Sequence, residues 1–290
     1  MTLHELLIQP FVDFGFMRRA LVGALALALG SAPMGTLLVL RRMSLMGDAT
    51  GHALLPGAAL GFLIAGPSLA AMSIGSFLAA IGVALGAGVV ARATAQREDA
   101  SFAAFYLIAL ALGVMLVSLR GTSVDLMHLL FGTILAVDDG ALLLICGTTG
   151  VTLAVLALLW RPLIAECVDP GFLRSVGGPG RWVHLAFLVL TVANLVAGFQ
   201  AMGTLMAVGL MMLPATAARF WVGQVGGLIA VAALIAAFSG FAGLLLSYHA
   251  QWPSGPAIVL VAGAIYLLSL FVGSREGLLW QRLRRPHRLA

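Results

Sequence analysis

Two side chains four residues apart, Asp48 and His52, form the most chemically pointed pair in the chain. On a helix they share one face, about 6 Å apart at Cβ. A carboxylate oxygen and an imidazole nitrogen held that way make half of a divalent-metal site. Apolar sequence resumes at Ala53, which puts the pair in or beside a membrane, where ionisable groups are costly and functional by default. A structural reading stands beside this one. Asp48 would be a helix N-cap after the turn residue Gly47, and His52 an interfacial histidine donating to a backbone carbonyl.

The rest of the chain has to place that pair in lipid. Of 290 residues 61% are hydrophobic and 9% charged, far below the roughly 25% charge of a soluble domain. This composition predicts a single all-α polytopic domain over residues 1–290. Nine apolar segments follow one another: Ala20–Leu40, Ala49–Gly66, Leu69–Ala91, Phe102–Leu119, Ala141–Trp160, Trp182–Phe199, Met202–Phe220, Val222–Ser247 and Ala257–Phe271. A span needs about 20 residues, so the second and the last are short. Pro56 and Gly57 in the second predict a broken or partial helix lining a cavity. Residues 1–17 read as a short interfacial helix. Small-xxx-small pairs (Gly57/Gly61, Gly82/Gly86, Gly223/Gly227, Ser239/Gly243) suit close helix contact in lipid.

All 16 basic residues are arginine. Without lysine the chain holds no P-loop, so ATP-driven work needs another subunit. With the amino terminus outside, nine alternating segments put Arg41, Arg42, Arg92, Arg97, Arg161, Arg174, Arg181, Arg219 and the basic tail over 275–290 in the cytoplasm. The charge of +5 therefore points to anionic lipid rather than nucleic acid. Cys146 and Cys167 make no disulfide framework.

Other polar stretches carry weaker signals. The linker Arg120–Asp139 suggests an amphipathic outer helix, with His128 on its polar face and Asp138-Asp139 as a solvated helix start. Arg161–Arg181 reads as a polar loop around one short helix. Pro214 predicts a kink or stop, leaving Ala215–Phe220 as a separate short helix. Met202, Met206, Met211 and Met212 read as adaptable packing, with a soft copper(I) path as the alternative. His249 lies in a short aromatic outer loop, where an interfacial role outweighs contact with arriving metal.

The run Arg41-Arg42-Met43-Ser44-Leu45-Met46-Gly47-Asp48-Ala49-Thr50-Gly51-His52-Ala53-Leu54-Leu55-Pro56-Gly57 resembles the signature of the permease subunits of bacterial zinc, manganese and iron ABC importers. The stretches Asp125-Leu126-Met127-His128, Leu213-Pro214-Ala215-Thr216-Ala217-Ala218-Arg219 and Ser247–Pro256 resemble the same family. The resemblance implies that Asp48 and His52 are the metal ligands. It also implies that Pro214, Ala215 and Arg219 belong to a coupling helix seated in the ATPase. It further implies a fold like that of cobalamin and iron-siderophore permeases, a homodimer, a separate ATPase, an extracytoplasmic metal-binding protein and a cytoplasmic (inner) membrane location. Metal would be cargo, with no permanently bound cofactor. The competing expectation is a stand-alone metal/proton exchanger using Asp48 and His52 as proton carriers, but no repeated halves show in the sequence.

Overall fold

A computed structural model describes residues 6–66, 68–94, 98–119, 137–275 and 277–283. Every regular element among them is helical. In chain order they are α1 (Gln9–Asp13), α2 (Gly15–Leu40), α3 (Ser44–Ala65), α4 (Leu69–Ala93), α5 (Glu98–Leu119), α6 (Asp139–Leu158), α7 (Trp160–Val168), α8 (Pro170–Ser175), α9 (Gly180–Met202), α10 (Thr204–Ala218), α11 (Val225–Ala250), α12 (Ser254–Val272) and α13 (Leu278–Leu283). The apolar segments lie largely on helices, though Ala141–Trp160 and Met202–Phe220 each run across a helix end, and nine spans are not established. Six of the described helices are long and apolar enough to cross a membrane: α2, α4, α6, α9, α11 and α12. The expected outer helix over Arg120–Asp139, with His128, lies outside the described residues except at its end.

Lipid supplies no hydrophobic force between helices, so close approach of small residues does the joining. Gly57 and Gly61 of α3 lie against the backbone of α4 at Gly75 and Ala71, leaving no room for a Cβ. Gly35 brings α2 onto the Met211 carbonyl of α10, and Gly243 brings α11 onto Ile258 of α12. Large apolar side chains such as Leu143, Leu158 and Ile64 point outward.

Three local expectations are corrected. The Pro56 segment is not broken: α3 runs unbroken through Pro56, and Gly113 of α5 packs directly on that ring. The proline still removes the N–H that would bond the His52 carbonyl, but packing by α4 and α5 holds the helix. Similarly, α10 continues through Pro214 to Ala218, so Ala215–Phe220 is not a separate helix. Thr216 donates to the Met212 and Leu213 carbonyls, both 2.9 Å away, which secures the turn around the proline. The Arg161–Arg181 stretch contains two helices, α7 and α8, instead of one.

Contacts define two ends. At one, Arg19 pairs with Asp139 at 3.5 Å and His249 Nε2 lies 3.0 Å from the Leu6 carbonyl. Asp138 there caps α6 through the Ala141 N–H at 2.7 Å. At the other end, Arg41 meets Glu166 and His184, and the Arg275 N–H donates to the Phe220 carbonyl.

Candidate metal site

The joint before the site is set by the chain itself. Arg41 closes α2, Arg42 takes φ 57°, and Met43 precedes α3. The Met43 N–H donates to the Leu38 carbonyl (2.9 Å) and the Arg42 N–H to the Val39 carbonyl (3.1 Å). This is the paired bonding of a Schellman turn, which usually takes glycine at its left-handed position. Arginine there costs on the order of 1–3 kcal/mol, so the surrounding structure must hold it.

Past the joint, Asp48 lies one turn inside α3, not at its N-cap, which is Met43. The capping alternative for Asp48 therefore falls. Gly47 and Gly51 lie on the side of α3 that meets α10, with Met212 and Val208 as their neighbours. Two side chains without a Cβ let α10 come close. The result is a cleft of about 380 Å³ between α3, α10 and Val259 of α12, lined by Asp48, His52, Thr204, Val208 and Met212 among others.

Within the cleft His52 Nε2 stands 3.6 Å from Asp48 Oδ1. That is too long for a good hydrogen bond. Two ligands each about 2.1 Å from one ion at a tetrahedral angle stand about 3.4 Å apart, so the spacing suits a shared cation. The Asp48 side chain is 62% exposed and that of His52 35%. Tyr106 of α5 stacks on the imidazole at 5.9 Å between centroids and 26° between planes. His52 Nδ1 is buried with no hydrogen-bond partner. Among the described residues no group of three or more His, Cys, Asp or Glu converges on a point. One chain thus offers an oxygen and a nitrogen, short of the four donors zinc takes in structural sites.

The remaining expected residues disperse. Pro214 and Ala215 are buried in α10, while Arg219 is exposed just beyond it. Met202, Met206 and Met211 are buried core residues. Met212 differs, since it lines the cleft. Sequence reasoning missed Tyr106 and this position of Met212, because both depend on which helix faces α3. Arg41, expected among the span-end arginines that meet anionic lipid, is buried: its side chain is 8% exposed and pairs with Glu166 at 2.9 Å.

The profile described as the ABC 3 transport family matches residues 13–273. The manganese transport system membrane protein MntC of Halalkalibacterium halodurans is 30% identical over 272 residues, covering 93% of this chain and 92% of that protein. The chelated iron transport system membrane protein YfeD of Yersinia pestis is 30% identical over 268 residues, covering 92% and 89%. Among solved structures, PsaBC from Streptococcus pneumoniae in complex with Fab superposes with a TM-score of 0.84 at 28% identity, covering 97% of this chain and 99% of that one. The signature around Asp48 and His52, the all-helical bundle and a match over nearly the whole length agree, and the chain belongs to the ABC 3 transport family, as a multi-pass membrane permease.

Proposed function

We propose that this chain is the membrane subunit of an ATP-driven importer of divalent transition metal ions, with Asp48 and His52 as the cargo ligands. The 3.6 Å spacing of their donor atoms in an open cleft carries the reading. The names of the relatives, which transport manganese or chelated iron, support it. Two donors leave a shell incomplete, and a second copy related by a two-fold axis supplies a second Asp48/His52 pair. A mixed oxygen and nitrogen set accepts manganese, iron(II) and zinc, and affinity alone separates them poorly. Selection then falls to an extracytoplasmic binding protein. A separate ATPase docks on the exposed Arg219 at the arginine-rich end, which faces the cytoplasm of the inner membrane.

The test is uptake into vesicles containing the permease with its ATPase and binding protein, comparing manganese, iron(II) and zinc with and without ATP. ATP-dependent accumulation of at least one ion is expected. Uptake driven by a proton gradient with no need for ATP would replace this reading with the exchanger. A reporter fused after Ala290 that fluoresces only in the cytoplasm checks the orientation, and a periplasmic signal would overturn it.

A further inference from the structure

At the arginine-rich end, outside the cleft, sits the most completely paired charge among the described residues. The Arg41 guanidinium donates through Nη2 to Glu166 Oε1 at 2.9 Å and to the Glu166 carbonyl at 3.2 Å. Through Nη1 it meets His184 Nδ1 at 2.5 Å, and its plane lies 5.1 Å from the Phe187 ring centre. Arginine has only donors, so His184 Nδ1 is the acceptor in this contact. The Arg41 and Glu166 side chains are both buried, and His184 is 5% exposed. One residue thus ties together the end of α2, the loop helix α7 and the first turns of α9.

We propose that Arg41 is a positioning residue for transport: it fixes the turn from which α3 starts, and so the face on which Asp48 and His52 meet the cleft. This rests on the reading of that pair as the cargo site. The side chain sits next to Arg42, the one left-handed residue of the joint. If the anchor lets go, the Arg42 backbone relaxes toward ordinary helical or extended values, and either change rotates α3 about its axis. Successive helical residues are about 100° apart around the axis. A modest rotation of its first turns, ahead of the Gly57 contact with α4, therefore takes Asp48 away from α10. A lysine in this position carries the charge but lacks the planar fork that reaches Glu166 and His184 together.

A purely structural role predicts something different. Buried ion pairs add little net stability, and replacing both partners with apolar residues is often neutral or better, whereas removing one leaves a buried orphan. The decisive variant is the double replacement Arg41→Met with Glu166→Met, tested in the complete vesicle-embedded complex with manganese(II) as the probe. The positioning role predicts wild-type assembly and thermal unfolding, but a KM for manganese raised at least tenfold. Wild-type KM and rate in this variant would overturn the proposal. Should the double variant not assemble, Arg41→Lys decides: a KM raised severalfold with normal assembly supports the role, and an unchanged KM overturns it. Asp48→Asn in the same vesicles separates the two ideas. Normal transport in Asp48→Asn removes the site reading itself. Loss there, with normal transport in the Arg41 variants, removes only the positioning role.

Discussion

The two polar regions of this molecule handle charge in opposite ways. Around Arg41 the buried charge is dry and paired: a carboxylate, a carbonyl, an imidazole and an aromatic face surround one guanidinium. Around Asp48 the carboxylate is mostly exposed, its histidine is 3.6 Å away, and His52 Nδ1 has no partner. Apolar surroundings punish unpaired charge, so a region that satisfies itself is built to stay as it is. A region that leaves donors open is built to receive something. That contrast, more than the residue types, separates a structural cluster from a candidate transport site.

The contrast is broken most directly at the open region. Asp48→Asn preserves size and His52→Gln preserves polarity, but each removes a metal donor. Transport should fall at least about tenfold in either while expression and assembly stay normal, as read by metal uptake in cells depleted of that metal. Near-normal uptake in both would make the cleft a packing feature. The next largest effect lies at the closed region. Arg41→Ala leaves Glu166 buried without its cation and should cost about 3–5 kcal/mol of stability, measured as lost thermal resistance of the purified protein. A change within error would show that water reaches Glu166 once the guanidinium is gone. At the exposed end of α10, Arg219→Glu reverses one surface charge. It should uncouple ATPase activity from transport without altering insertion, checked by comparing ATP hydrolysis with uptake in one preparation.

The smallest effect sharpens the closed region further. Burial pushes the Cys167 thiol up to about 11 from 9.0, against the partial opposition of the nearby Arg41 cation. A raised thiol pKa means that the folded protein holds this proton longer than the unfolded chain. Its effect on stability is therefore absent below about pH 9 and becomes a loss between 9 and 11. At pH 8, maleimide should label Cys167 far more slowly in the native protein than after unfolding, as read by mass spectrometry. Equal rates would show that the region opens readily.

Much of this was legible in the chain. Helix-length apolar segments, the absence of lysine and the spacing of Asp48 and His52 follow from local pattern, and each rests on one segment at a time. What stayed hidden depends on several segments at once. Pro56 and Pro214 read as breaks because an isolated helix loses a hydrogen bond at proline. Neighbours decide otherwise: Gly113 packs on Pro56, and Thr216 braces the turn at Pro214. Arg41 read as one of the span-end arginines facing anionic lipid because its partners lie 125 and 143 residues away. Met212 and Tyr106 carried no local mark of their place beside His52.

The unbroken course of α10 has a mechanical consequence. Its 15 residues make a rod about 22 Å long, with the cleft wall at Thr204, Val208 and Met212 along its shaft and Arg219 at its tip. A hinge at Pro214 would soak up any displacement applied to that tip. With the helix continuous through Pro214, a displacement applied to Arg219 would reach Met212 as a tilt or slide of the cleft wall. Gly35, pressed against the Met211 carbonyl, is where α2 meets the rod between the Val208 wall and the Arg219 tip.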